Sequence, residues 1–148
     1  MRLVTKLCIG VLSLTAGMIA DTKVKMEDLP PAVQKAVKEQ TRTATLVGLS
    51  KEVEKGKTMY EVETKVNGKT RDLLLDSTGA VVEVEEEIDL NSVPAAAKAA
   101  IEKKADGGTI KKVETVTKGS SVSYEAAIRT KARKNIEVGV NADGSAHK

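Results

Sequence analysis

Sliding the sequence against itself by 64 positions lays Leu29-Pro30 on Val93-Pro94, and this hidden repeat constrains the fold more than any other feature. At the same offset Val33, Ala36 and Val37 fall on Ala97, Ala100 and Ile101. Leu46 and Leu49 fall on Ile110 and Val113, and Tyr60-Glu61 falls on Tyr124-Glu125. One extra residue then moves the offset to 65, where Leu73 and Leu75 meet Val138 and Val140, and Asp76-Ser-Thr-Gly79 meets Asn141-Ala-Asp-Gly144. Few residues are identical, but the order of features is the same in both copies.

Each copy can be read locally. Pro30 and Pro94 suit a helix start, where the missing N–H costs nothing. The apolar positions that follow are spaced i, i+3, i+4, a narrow helical face that must be held by packing on something else. The rest alternates. Tyr60, Val62, Thr64 and Val66 point one way and Glu61, Glu63 and Lys65 the other, while Tyr124, Ala126, Ile128 and Thr130 oppose Glu125 and Arg129. Asn67-Gly68 is a strong two-residue hairpin signal. Tight turns closed by Gly79 and Gly144 are expected after the aliphatic runs. The fold class expected is α+β: two tandem units, residues 21–90 and 91–148, each one helix packed on a three- to four-stranded antiparallel sheet. The fourth strand of the second unit is expected to be short or missing.

The chain has no Phe, no Trp and two Tyr, and both tyrosines occupy matching places in the repeat. In a core of Val, Leu, Ile and Ala a buried tyrosine supplies an unusually large share of the apolar area. Tyr60 and Tyr124 are therefore read as core pillars, and with Pro30, Pro94, Gly79 and Gly144 they mark the repeat.

Residues 1–20 read as an export signal: Arg2 and Lys6 precede the apolar stretch Leu7 to Ala20, and polar residues follow. Cleavage is expected after Ala20, although Met18 is larger than the residue usual at that place, and an uncleaved anchor is the alternative. Cys8 lies at the start of the apolar stretch, the wrong end for lipid attachment. Its loss with the signal would leave no cysteine. No stable membrane span is expected after cleavage, and the protein is expected in the periplasm or outside the cell.

Charge excludes one class of partner. Without Arg2 and Lys6 the chain has 22 basic and 21 acidic residues, no footprint for nucleic acid. The halves differ, however: residues 21–90 hold 11 basic and 15 acidic residues, and residues 91–148 hold 11 and 6. The acid run Glu83 to Glu87 is expected to be a charged edge strand that resists unwanted pairing. Arg129, Lys131, Arg133 and Lys134 form a basic hairpin. These two patches, with Glu83 and Glu85 in the first, are the candidate partner-binding residues; they would steer a dipolar partner or pair between two copies of the chain.

A helix opened by Leu-Pro, then Tyr-Glu-Val, Asn-Gly-Lys and Leu-Leu-Leu-Asp-Ser-Thr-Gly-Ala-Val-Val, resembles the PepSY domain and the PepSY-like proteins grouped with beta-lactamase-inhibitor proteins. The resemblance covers residues 28–88 and, more loosely, 92–144. The second copy departs from it, with Ala126 in place of the valine after Tyr-Glu and Lys131-Ala-Arg in place of Asn-Gly-Lys. The resemblance implies a small exported module, often in tandem, that binds or inhibits other proteins through a sheet surface and loops.

Chemistry of other kinds finds little footing. His147 is the single histidine and stands beside the C-terminus, where loose chain is the default. With no cysteine after signal removal, neither a nucleophile–base pair nor a zinc site has its parts. Asp76-Ser-Thr-Gly79 has one residue too many for an aspartic-protease triplet. Asn141-Ala-Asp-Gly144 resembles the start of a calcium loop but lacks the closing Glu, and turn chemistry explains it. No catalytic residue, metal ligand or cofactor is assigned. The expected function is non-catalytic binding of an envelope or secreted protein, with regulation or inhibition of a hydrolase or peptidase as its consequence. A small-ligand or cation sensor and a self-assembling envelope component are the alternatives.

Overall fold

The computed structural model describes residues 22–147 except residue 55; the expected export signal and its cleavage point lie outside the described residues. Strand β1 (Thr22–Lys23) and a short 3-10 turn lead into helix α1 (Pro31–Gln40). Strands β2 (Thr45–Glu54), β3 (Lys57–Val66), β4 (Lys69–Asp76) and β5 (Val81–Ile88) follow. A second 3-10 turn leads to α2 (Ala95–Ala105), and β6 (Thr109–Lys118), β7 (Ser121–Arg129) and β8 (Asn135–Asn141) complete the fold. The spatial order of the strands is their chain order, β1 to β8, in one antiparallel sheet.

This corrects the expected fold class. The two copies do not build two helix-on-sheet units with separate small sheets. They build one open eight-stranded sheet carrying two short helices. The strand responsible is β5, which was expected at an edge. It pairs with β4 on one side (Asp72↔Glu85, Leu73↔Val84) and with β6 on the other (Val84↔Thr117, Ile88↔Val113). Both rows of main-chain groups on an eight-residue strand demand partners. Charged side chains standing perpendicular to the sheet do not prevent that pairing. The 3-10 turn Leu90–Ser92 carries the chain from β5 into α2.

Inside this single sheet several local features recur at the offset of 64. Pro30 and Pro94 both stand at the N-cap, one place before the helix expected to begin on them, and Pro31 takes the first helical position of α1. The β2–β3 and β6–β7 pairings are interrupted at matching places, between Leu46 and Gly48 and between Ile110 and Lys112. Asn67 and Gly68, at φ 51° and 82°, close the β3–β4 hairpin. Among the described strands, β1 and β8 lie at the margins of the sheet.

Both helices lie on the same face. Val33 and Val37 of α1 pack with Leu29, Tyr60, Val62, Leu73 and Leu75, against which Val84 rests. Ala97, Ile101 and Ala105 of α2 pack with Val93, Val113, Ala126, Ile128 and Val140, against which Ile88 rests. Val84 and Ile88 are four residues apart on one strand, so both cores occupy one side of the sheet. Among the described residues the other side carries no helix.

Candidate functional site

Register decides what stands on the uncovered face. Glu83, Glu85 and Glu87 alternate with Val84 and Ile88, so they point away from the helices. Directly across from them are Leu74 and Asp72 on β4 and Val116 and Glu114 on β6. One strand further out, Glu61 and Glu63 of β3 oppose Leu74 and Asp72, and Glu125 of β7 opposes Glu114. Carboxylates are thereby stacked strand by strand across the middle of the face.

At its centre Asp72, Glu85 and Glu114 each place a carboxylate oxygen within 4.8 Å of the others. Asp72 and Glu114 are only 3% and 6% exposed, although no helix covers them. Neighbouring main-chain and side-chain groups offset part of the cost. Thr64 N–H donates to Asp72 Oδ1 (3.2 Å), and Thr70 Oγ1 donates to Glu114 Oε1 (3.1 Å). Lys112 forms an ion pair with Glu114, and Lys118 Nζ lies 3.1 Å from Glu83 Oε2.

Burial and like charge work in the same direction here. Desolvation first, then the fields of Glu114, Glu83, Glu125 and Asp72, push the Glu85 carboxyl up to about 8. Glu125 is raised to about 7 by desolvation, then by Glu137 and Glu83, with Lys118 pulling the other way. At neutral pH Glu85, and in part Glu125, therefore retain their protons. Chemically it is an acceptor for cationic groups: an ammonium or guanidinium from a partner, or a hard cation, which favours oxygen ligands.

A stability prediction follows, and its sign is fixed. Glu85 binds its proton more tightly when folded than when unfolded, so the native state is favoured below the unfolded carboxylate range. That advantage is lost as pH rises through about 8. Glu85→Gln should leave stability near pH 5 almost unchanged and raise it by about 1–2 kcal/mol at pH 8.5, after allowance for solvent screening. Urea unfolding at the two pH values checks this. An equal effect at both would remove proton linkage as the cause.

Of the residues expected to bind a partner, Glu83 and Glu85 thus lie on the uncovered face. Arg129, Lys131, Arg133 and Lys134 lie elsewhere, in the exposed turn between β7 and β8. That turn is closed by Thr130 N–H to Lys134 O and Arg133 N–H to Thr130 O, both 2.8 Å, with Arg133 at φ 61°. Register sets the two patches apart: Glu85 is opposite Val116 and Arg129 opposite Thr109, seven positions along β6, roughly 20 Å. The chain does not bring them together. His147, expected in loose chain, instead donates its N–H to Gly139 O (3.1 Å) and sets its ring 3.0 Å from Asn141 Oδ1. Asp143 Oδ1 accepts from Ser145 N–H and Oγ at 2.9 and 2.6 Å, so the turn itself uses that acid.

Asp72, Glu114 and Glu125 were not singled out from the sequence. Their one signal is an acid at an unexpected place: Asp72 heads an aliphatic run, and Glu114 sits between two valine-bearing positions. Only cross-strand register makes them a group.

Comparison with known proteins places the fold. No family model matches the chain, and no curated protein matches it. Solved structures do. A Bacteroides eggerthii protein described as periplasmic superposes with a TM-score of 0.65 at 18% identity, covering 81% of this chain and 86% of its own. A DUF2874 family protein from Bacteroides uniformis gives 0.62 at 18% identity, covering 80% and 86%. A BLIP-like protein from Bacteroides fragilis gives 0.57 at 18% identity, covering 81% and 84%. The likeness is one of fold. This chain has the architecture of the DUF2874 and BLIP-like proteins, along nearly all of its described length. None of the three is described as an enzyme. Among the described residues no helix is long and apolar enough to cross a membrane.

Proposed function

We propose that this is an exported, non-catalytic protein of the periplasm or the secreted fraction, and that it binds another protein through the uncovered face of its sheet. The observation that carries the reading is the one-sidedness of the fold. Both helices occupy one face, and the other is a broad eight-stranded surface with a carboxylate centre that calls for cationic groups. The partner segment that fits presents Lys or Arg to the half-buried Glu83 and Glu85, which stand over the buried Asp72 and Glu114. The nearby surface depressions of about 330 and 360 Å³ lie at α1 and its C-terminal end, not on this face. The periplasmic and BLIP-like descriptions of the structural neighbours agree with such a role. Regulation or inhibition of a secreted or periplasmic hydrolase or peptidase is the consequence we favour.

The test is paired capture. Native protein and a Glu83→Lys/Glu85→Lys variant are immobilised and exposed to the envelope and secreted extract of the source organism. The reading requires a protein retained by the native chain, displaced by free native chain, and lost from the variant. Retention that survives the variant would move the interface off this face, and no retention at all would remove the reading. Calcium with and without chelator forms a separate arm and shows whether a metal ion competes for the same carboxylates. With a captured partner in hand, Arg133→Glu/Lys134→Glu should slow association several-fold and change its salt dependence, because exposed charges act mainly on the rate of encounter. An unchanged on-rate would remove the basic turn from the interaction.

A further inference from the structure

The two sides of the molecule present charge of opposite sign. On the helix side, α1 turns Val33 and Val37 to the core. At 3.6 residues per turn Lys35 and Lys38 fall roughly 200° and 140° round the helix from Val33, so both stand on its outer surface. Arg42 follows about one turn later. All three are exposed, and they line one shallow depression with Pro31, Gln34 and Glu39. Glu39 is the single acid from Pro31 to Arg42. α2 has no such stripe, because opposite its buried Ala97 it turns outward Ala95, Ala99 and Glu102.

On the uncovered face the sign reverses. Glu63, Asp72 and Glu85 stand in one row across β3, β4 and β5, and Glu87, Glu114 and Glu125 in the next, across β5, β6 and β7. Lys112 and Lys118 of β6 are already drawn into ion pairs with Glu114 and Glu83. We propose that α1 of one copy seats on the uncovered face of a second copy, with Lys35, Lys38 and Arg42 over its half-buried carboxylates, so that the protein stacks head to tail.

Spacing supports the match. The rise from Lys35 to Arg42 is about 10 Å, and Glu63 and Glu85, two strands apart in one row, are also separated by about 10 Å. A helix laid across the strands therefore brings one cation to each of these half-buried acids, with Lys38 between them. Strands β2 to β7 offer a face of roughly 750 Å², close to the about 800 Å² per partner of a standard interface. The basic turn fits less well, because Arg133 and Lys134 lie past the last β7–β8 register pair, Arg129↔Asn135, and gather in one tight turn rather than along a line. The contact joins two different surfaces. Each copy bound by its helix keeps its own face open, and growth continues past the dimer unless a ring closes. This goes beyond the binding of a foreign protein proposed above, and the two partners compete for the same face.

Sedimentation equilibrium of the purified protein tests this without any foreign partner, so its outcome is independent of the capture experiment. In low salt at pH 8.5, above the range in which Glu85 and Glu125 hold their protons, the average mass should rise with concentration past the dimer. It should return to the monomer in roughly 0.5 M salt. Lys35→Ala/Lys38→Ala/Arg42→Ala and Glu63→Gln/Glu83→Gln/Glu85→Gln should each weaken association roughly tenfold or more. Mixed one to one, they should form a dimer and nothing larger, because one intact helix and one intact face remain to meet. Arg133→Glu/Lys134→Glu, on the basic turn, should associate as the native chain does. The alanine changes fall on exposed positions in and just after a helix, so that variant keeps the fold and carries the test should the face variant misfold. A native chain that stays monomeric to about 1 mM overturns the proposal. So does association that survives either triple variant, a mixture that behaves as its separate components, or a basic-turn variant that loses association.

Discussion

Tyr60→Ala should cost about 3–5 kcal/mol, the range for removing a large buried aromatic, whereas Tyr124→Ala should cost about 1–2 kcal/mol. The sequence treats the two tyrosines as equivalent, and the structure does not. Tyr60 is 7% exposed and is itself part of the first core beside Val62 and Leu75. Tyr124 is only partly buried and rests against the second core, whose buried members are smaller: Ala97, Ala105 and Ala126. Domains of this size hold roughly 5–15 kcal/mol in all, so the first substitution removes a large share. Urea unfolding of both variants decides it. Equal losses would mean that the second core depends on its tyrosine as heavily as the first.

Gly79→Ala should cost about 3 kcal/mol, and Gly144→Ala about the same. Each glycine has a positive φ, 82° and 81°, which costs other residues roughly 1–2 kcal/mol. Each also closes a turn directly beneath a helix. A Cβ on Gly79 would lie 2.6 Å from Ala32 O, and one on Gly144 would lie 2.7 Å from Ala96 O. The blocked atoms are main-chain carbonyls in the first turns of α1 and α2, which cannot swing aside as a lysine tip can. Gly68 is the control: its φ is also 82°, but a Cβ there would meet nothing within 4 Å. Gly68→Ala should therefore show the conformational part alone, about 1 kcal/mol. Thermal unfolding of the three variants separates the terms. Equal losses would show that contact with the helices contributes nothing.

These glycines, the helix-opening prolines and the alternating rows around Tyr60 and Tyr124 were legible because they rest on local spacing. A turn, a helix face or a strand row is written within some ten residues. The joining of the two copies was not legible. It depends on β5 meeting β6 across the whole of α2, and β5 carries Glu83, Glu85, Glu86 and Glu87, which read as an edge-protecting run. Its charges are tolerated because three of them project from the uncovered face and Glu86 reaches Arg71 at 3.2 Å on the other side. The carboxylate centre was hidden for the same reason. Asp72, Glu85 and Glu114 are far apart in the chain, and only the register of three strands assembles them. Of the basic turn, the sequence showed the residues and their exposure but not their distance from the acids.

Because strand order follows chain order without exception, the first and last strands occupy opposite margins of the sheet, seven interstrand spacings or roughly 34 Å apart. A load applied through β1 and β8 therefore acts across the strands, along the hydrogen bonds, and meets them one ladder at a time. Such a sheet peels open from its margins at low force rather than resisting as a sheared block. A protein so connected is suited to displaying a broad surface and unsuited to bearing tension between two anchored points.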